Sequence, residues 1–362
     1  VFALAFVITA CSAAVGWLLL AATKANHLLT RLESLVFSTA VGLATVSTYT
    51  LAVGLVGWLR HPSAFLPLAV LSLAAFSRLW LRRASKPAGR DGQAKGPRAR
   101  ATPLMGLVPA GWLDPRWLWL AAPFAIVIVL GGALPPVDFD VLEYHLQAPK
   151  EFFEQGCVGF MPHNVYANMP LGVSMFSLAA MSLTGDWWLG ALVGKTIVAL
   201  TAPLTAAALL IAGRRLHSNT AGVVAAVVYL ATPWVAHVAM AGLVESPLAM
   251  YSFLAVYAVV ILPQPLPEVT GVSASASSGP FGAKEPESRR PCGTWYSQPV
   301  LAGYLAGAAA ACKYPAMLFV VLPLLAWIAF GRQKNSETPP AGRWNDQTGK
   351  GRFAAVVGQL RS

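Results

Sequence analysis

Long apolar runs separated by short polar joints recur from the first residue to about residue 330. They predict helices over Val1–Ala22, Leu35–Leu59, Ala64–Leu81, Trp117–Leu134, Trp187–Ala212, Ala221–Ala239, Pro247–Leu262, Gly293–Cys312 and Pro315–Phe330. Each is close to the roughly 18–20 residues that cross the hydrocarbon core of a bilayer, so the pattern predicts an all-α, polytopic transmembrane helix bundle of about nine spans. The run Met169–Leu183 is too short to cross and is expected to lie at, or dip into, the interface. The last two runs could form one tilted helix, but that would bury Lys313 near the bilayer centre at about 2.5–3.5 kcal/mol. A break at Lys313-Tyr314-Pro315 avoids this, because the residue before a proline disfavours helical geometry.

The segments between the runs divide the chain. Residues 1–83 form an N-terminal three-span segment, 84–116 a basic linker, and 117–331 a membrane region containing a long polar loop at 135–186. The linker, the Ser/Ala/Gly/Pro-rich loop at 263–292 and the basic tail at 332–362 lack the apolar surface that offsets ordering entropy, and are expected to be unstructured. The chain opens on Val1 with no basic segment before the first apolar run, so it is expected to be part of a longer protein. No repeat of fixed period is visible, which weighs against a transporter built from inverted repeats.

Composition agrees. Hydrophobic residues make up 56% of the chain and charged residues 11%, with a mean hydropathy of +0.59, against about 25% charged in soluble domains. A soluble enzyme is excluded. The net charge of +11 does not point to nucleic acid, because of where the basic residues sit. If residues 82–116 are cytoplasmic, alternation of the spans places all but four of the 26 Lys and Arg on that side, the exceptions being Arg60, Lys150, Lys195 and Lys313. This is the positive-inside pattern. Asp138, Asp140, Glu143, Glu151, Glu154, Asp186 and Glu245 fall on the other, external side. The four cysteines show no CxxC spacing, so neither a zinc site nor a disulfide framework is indicated.

Candidate chemistry gathers in the external loop. Asp138, Asp140, Glu143 and His145 lie within eight residues directly after a span, which would hold carboxylates at the membrane surface. If Asp140–Gln155 is helical, Glu143 follows Asp140 by one turn and shares its face. Clustered carboxylates repel one another, which suits one of them to act as general base or cation ligand. The competing reading is a helix cap, for which Asp is favoured. A divalent cation at these carboxylates is a lesser expectation, since no His/Cys ligand set accompanies them.

The run Asp140-Val141-Leu142-Glu143-Tyr144-His145-Leu146 resembles the first external loop of GT-C-fold glycosyltransferases of the family 39-like group, which includes protein mannosyltransferases and the lipid A aminoarabinose transferase. Arg214-Arg215-Leu216, Tyr229-Leu230-Ala231-Thr232-Pro233, Glu245-Ser246-Pro247-Leu248 and Ala311-Cys312-Lys313-Tyr314-Pro315 resemble later elements of that family in the same order. Glu245 stands where the family usually has Asp, and Asp138-Phe139-Asp140 where it often has an adjacent acidic pair. The resemblance implies a GT-C-like fold in the cytoplasmic (inner) membrane. It implies inverting transfer of a sugar from a polyprenyl-phosphate donor to an extracytoplasmic acceptor, with membrane lipids as the setting, no nucleic-acid partner and no bound cofactor. It makes Asp140 the expected base, with Asp138 and Glu143 beside it. Tyr144, His145, Lys195, Glu245, Lys313 and Tyr314 are then expected to contact substrate, the two lysines at the phosphate.

Simpler roles compete for several of these residues. Lys195 would otherwise snorkel to the interface, Tyr144 and His145 would be interfacial side chains, and Asp186 and Glu245 would start helices. Gly303-Tyr304-Leu305-Ala306-Gly307 is a GxxxG, whose ordinary meaning is close helix packing. The alternative function is a multi-pass transporter or flippase of a lipid-linked or anionic solute, with Lys195, Glu245 and Lys313 lining the path.

Overall fold

A computed structural model describes residues 1–84, 119–262 and 297–331. The linker at 84–116 beyond its first residue, the loop at 263–292 and the tail at 332–362 lie outside the described residues. Every regular element of the described residues is helical, and no strand occurs among them. The helices are α1 (Phe2–Ala22), α2 (Arg31–Val56), α3 (Leu66–Ala84), α4 (Ala122–Gly132), α5 (Gln147–Gln155) and α6 (Ser174–Thr184). They continue with α7 (Trp187–Leu216), α8 (Asn219–Ala231), α9 (Pro233–Ala241), α10 (Glu245–Val256), α11 (Ser297–Cys312) and α12 (Leu322–Gly331).

Among the described residues four helices are long and apolar enough to cross a membrane: Phe2–Ala22, Arg31–Val56, Pro62–Leu81 and Trp187–Leu216. The expected single span Ala221–Ala239 is instead the pair α8 and α9, bent by 60°. The cause is local: Pro233 has no N–H to continue α8, and Thr232 before it is extended at φ −70°, ψ 117°. The break expected at Lys313–Pro315 is present, with α11 ending at Cys312.

Met169–Leu183, expected to lie at or dip into the interface, contains α6, which neighbouring helices bury from Ser174 to Ser182. Ser177 and Met181 press on α7 where Gly194 and Gly190 leave no room for a Cβ.

Small residues also set the closest helix pair. A Cβ on Gly16 would lie 1.9 Å from the Ser38 carbonyl oxygen, and one on Gly42 1.7 Å from that of Ser12. Ser12/Gly16 and Ser38/Gly42 are thus facing small-xxx-small steps that let α1 and α2 touch backbone to backbone.

Contacts at the helix ends sort the loops into two groups. At one end Glu33 on α2 takes an ion pair from Arg215 on α7 and a hydrogen bond from Tyr257 just beyond α10, each at 2.5 Å. At the other, the Leu59 N–H donates to the Gly156 carbonyl (3.3 Å), the Val158 N–H to the Gly54 carbonyl (2.9 Å), and Arg60 to the Glu154 carbonyl. Asp186 starts α7 at this second end by accepting from the Trp188 and Leu189 N–H groups, a side-chain cap. Lys24, Arg31, Arg214 and Arg215 therefore gather at one end, and the acidic residues of 138–186 with Glu245 at the other.

Candidate functional site

The acidic end is built where α4 runs out. Asp138 accepts the Asp140 N–H on its carboxylate (3.1 Å) and the Leu142 N–H on its carbonyl (3.0 Å), so it caps the segment that follows. This commits Asp138 to structure and leaves the exposed Asp140 carboxylate without a hydrogen-bond donor among the described residues.

The next turn is not the α-helix expected. Residues Val141–His145 form a π-helical turn, closed by the Leu146 N–H donating to the Val141 carbonyl at 2.9 Å. A π turn holds one residue more than an α turn, a local feature frequent at functional sites. The extra residue shifts the register, so Glu143 does not share the face of Asp140. Tyr144 does: its phenol feels the charges of Asp140, Glu245 and Asp138. The Glu143 side chain is exposed and makes no hydrogen bond or ion pair among the described residues, while its carbonyl accepts from Asn164 at 2.9 Å. Tyr144 stacks on Tyr166 at 5.5 Å between ring centroids and lies 4.1 Å from the His145 ring. Asn168 braces the loop that carries Tyr166 by bridging the Met161 N–H and carbonyl.

Two residues distant in sequence complete the cluster. Glu245 opens α10 and Lys313 follows α11, and Lys313 Nζ lies 2.8 Å from Glu245 Oε1. The two residues are 68 apart in sequence, and the lysine expected at a donor phosphate is held by this carboxylate. The second carboxylate oxygen, Glu245 Oε2, is enclosed and has no hydrogen-bond donor among the described residues. Buried acceptors are rarely left so. Tyr314 is exposed beside the pair.

His145 sits beneath, 7% exposed, with Nδ1 3.5 Å from Ser174 Oγ. Burial pushes its pKa down to about 4, aided by Lys313 and opposed by the negative charges of Glu245 and Asp138. It is therefore a neutral ring at pH 7, able to donate or accept a proton in a hydrogen bond but not to serve as a cation. Burial, then Asp140, Glu245 and Asp138, raise the pKa of Tyr144, keeping its hydroxyl protonated.

Lys195 lines one small cavity with His145 and Ser174 but bonds to none of the charged groups of this cluster. It is 4% exposed, neither snorkelling nor open to a ligand, and donates to the Gly131 (3.3 Å) and Leu134 (2.9 Å) carbonyls at the C-terminal end of α4. A cation there satisfies carbonyls the helix leaves unpaired and complements its dipole. Its stem passes over Gly242, at φ +91°, where a Cβ would come within 2.8 Å. Among the described residues no group of three or more His, Cys, Asp or Glu is arranged to hold a metal ion.

Sequence reading thus named Asp138, Asp140, Tyr144, His145, Glu245 and Lys313, which the fold gathers, and Glu143 and Lys195, which it does not. It missed Tyr166, whose exposed ring walls the site; the flanking Asn164 and Asn168, four residues apart, were its only signal. The chain matches no family model, no curated protein and no solved structure.

Proposed function

We propose that this protein is an integral-membrane glycosyltransferase of GT-C-like architecture, with about nine spans in the cytoplasmic membrane and its acidic end outside. It moves a sugar from a polyprenyl-phosphate donor to an extracytoplasmic acceptor. The observation that carries this reading is the meeting of Asp140, Tyr144, Glu245 and Lys313, from three segments far apart in sequence, at one end of an apolar bundle, with an acceptor oxygen on Glu245 left without a donor.

The chemistry follows from those groups. An acceptor hydroxyl attacks the anomeric carbon as the bond from that carbon to the phosphate oxygen breaks, and its proton passes to the free Asp140 carboxylate. Negative charge grows on the departing phosphate. Lys313 has three donors and spends one on Glu245, so the others can meet it. No step requires Glu143, Lys195 or a divalent cation.

The test is transfer of radiolabelled sugar from polyprenyl phosphates by membranes containing the full-length protein. Movement of the intact lipid-linked sugar across proteoliposomes without transfer would select the flippase reading instead. Lys313→Ala should raise the donor KM and lower kcat, with Lys313→Arg recovering part of the loss. The side chains of the pair are 50% and 38% exposed, so losing it should cost about 1 kcal/mol of stability or less. A Lys313→Ala protein that loses yield but keeps normal donor kinetics would make the lysine only a partner of Glu245.

Orientation is tested with a native residue. Cys157 is exposed at the acidic end and Cys312 is buried, so a membrane-impermeant maleimide should label Cys157 in intact cells. Cys157 protected until permeabilisation would place the site in the cytoplasm.

A further inference from the structure

The two glycines of the α11 GxxxG face open space among the described residues. A Cβ on Gly303 or Gly307 would meet no atom within 4 Å, in contrast to the closed contacts at Gly16 and Gly42. The two glycines line a groove of about 280 Å³ between α11 and α2, with Ser47, Tyr251, Tyr304 and Ala311 among its walls. Gly172 lies across its end near Lys313, held by its N–H to the Ala311 carbonyl (2.9 Å) and by Ser47 Oγ to its own carbonyl (2.6 Å). From Cys312 back to Gly303 the groove follows about 14 Å of helix. Gly303, Gly307 and Ala311 are exposed along it, so it opens sideways, toward lipid.

One wall is unfinished. Tyr251 on α10 is 2% exposed, and its hydroxyl has no hydrogen-bond partner among the described residues. The neighbouring hydroxyl of Tyr304 is already paired with Thr45 Oγ1 at 2.9 Å. A buried hydroxyl left unpaired costs about 1–3 kcal/mol, so the site asks for a hydrogen-bonding ligand. Its depth identifies the class. Tyr251 follows Glu245 by six residues, about 9 Å along the helix. If the Glu245–Lys313 pair lies at headgroup level, as the proposed external placement of this end requires, that depth is the inner edge of an interfacial layer about 5–8 Å thick, where a glycerolipid carries its acyl ester carbonyls. A polyprenyl phosphate has no acceptor at this depth, its polar atoms lying with the phosphate.

We infer that the groove between α2 and α11 binds one acyl chain of an ester-linked glycerolipid, entering from the bilayer, with Tyr251 donating its hydroxyl to the ester carbonyl. The bound lipid fills the space that the glycines leave and sits beside the Glu245–Lys313 pair. This does not depend on the transferase reading.

The test is photo-crosslinking of the full-length protein in nanodiscs with phosphatidylglycerol carrying a diazirine in one acyl chain. The label should map to residues of α11 and α2 and be competed by unlabelled diacyl lipid. The diether analogue and Tyr251→Phe should each weaken binding roughly 3- to 10-fold, the worth of one hydrogen bond. Gly307→Val, where a side chain meets open space, should abolish labelling with an unchanged melting temperature. Asp140→Asn should leave labelling intact, which separates this inference from the fate of the transferase. Equal labelling by diacyl and diether lipids in wild type and Tyr251→Phe would overturn the ester contact. Stronger competition by polyprenyl phosphate, or a crosslinked pair of protein chains through Gly303 and Gly307, would overturn the assignment of the groove.

Discussion

Asp140→Asn should lower sugar transfer by about 10²- to 10⁴-fold, the usual contribution of a general base, while membrane insertion and melting temperature stay at wild-type values. The amide keeps the shape of the side chain and cannot take the acceptor's proton. Structural damage is not expected, because the Asp140 carboxylate is exposed and accepts no hydrogen bond among the described residues. Asp138→Asn is the control: Asn caps as well as Asp, so the contact to the Asp140 N–H survives and transfer should fall far less. Glu143→Gln should be nearly silent, since the π turn directs that side chain away from Asp140. Near-normal turnover in Asp140→Asn with loss in Asp138→Asn would reassign the base to Asp138.

The largest loss of stability should come from the opposite end of the molecule. Glu33 is 1% exposed, and each of its carboxylate oxygens is in use. Oε2 accepts the Thr30 N–H at 2.7 Å, closing a capping box at the start of α2, and Oε1 accepts from Arg215 and Tyr257. Removing one member of a buried ion pair leaves its partner's charge uncompensated, at about 3–5 kcal/mol. Glu33→Ala should therefore unfold far more readily in a thermal melt of the detergent-solubilised protein, with Arg215→Ala similar. Replacing both, as Glu33→Leu with Arg215→Met, should recover much of the loss, because neither charge then remains buried. If the two single losses simply add in the double variant, the pair is not coupled and the buried triad does not join α2, α7 and α10. In whatever folds, transfer activity should persist, since the triad lies at the far end of the bundle from Asp140.

Glu33 shows where sequence reading stops. It resembles any first-turn glutamate after a threonine, and nothing near it in the chain announces Arg215, 182 residues away. Arg215 itself reads as one more basic residue that sets topology. The use of Lys195 as a cap for α4 was hidden in the same way.

The helical class, the sorting of acidic from basic loops to opposite ends, the break before Pro315 and the cap at Asp186 were all legible in the amino-acid order. Each depends on a residue and its near neighbours: the transfer of side chains out of water, the missing N–H of proline, a carboxylate two or three residues from free amides. The tertiary structure alone decided the rest. The π turn takes Glu143 off the side of Asp140 and leaves Tyr144 there, and neighbouring helices enclose α6. Two small-residue motifs came out differently, Gly16 and Gly42 buried against facing backbones and Gly303 and Gly307 open to a groove. A glycine permits close approach from its own position, but whether a neighbour arrives depends on the packing of every other helix, which no local pattern encodes.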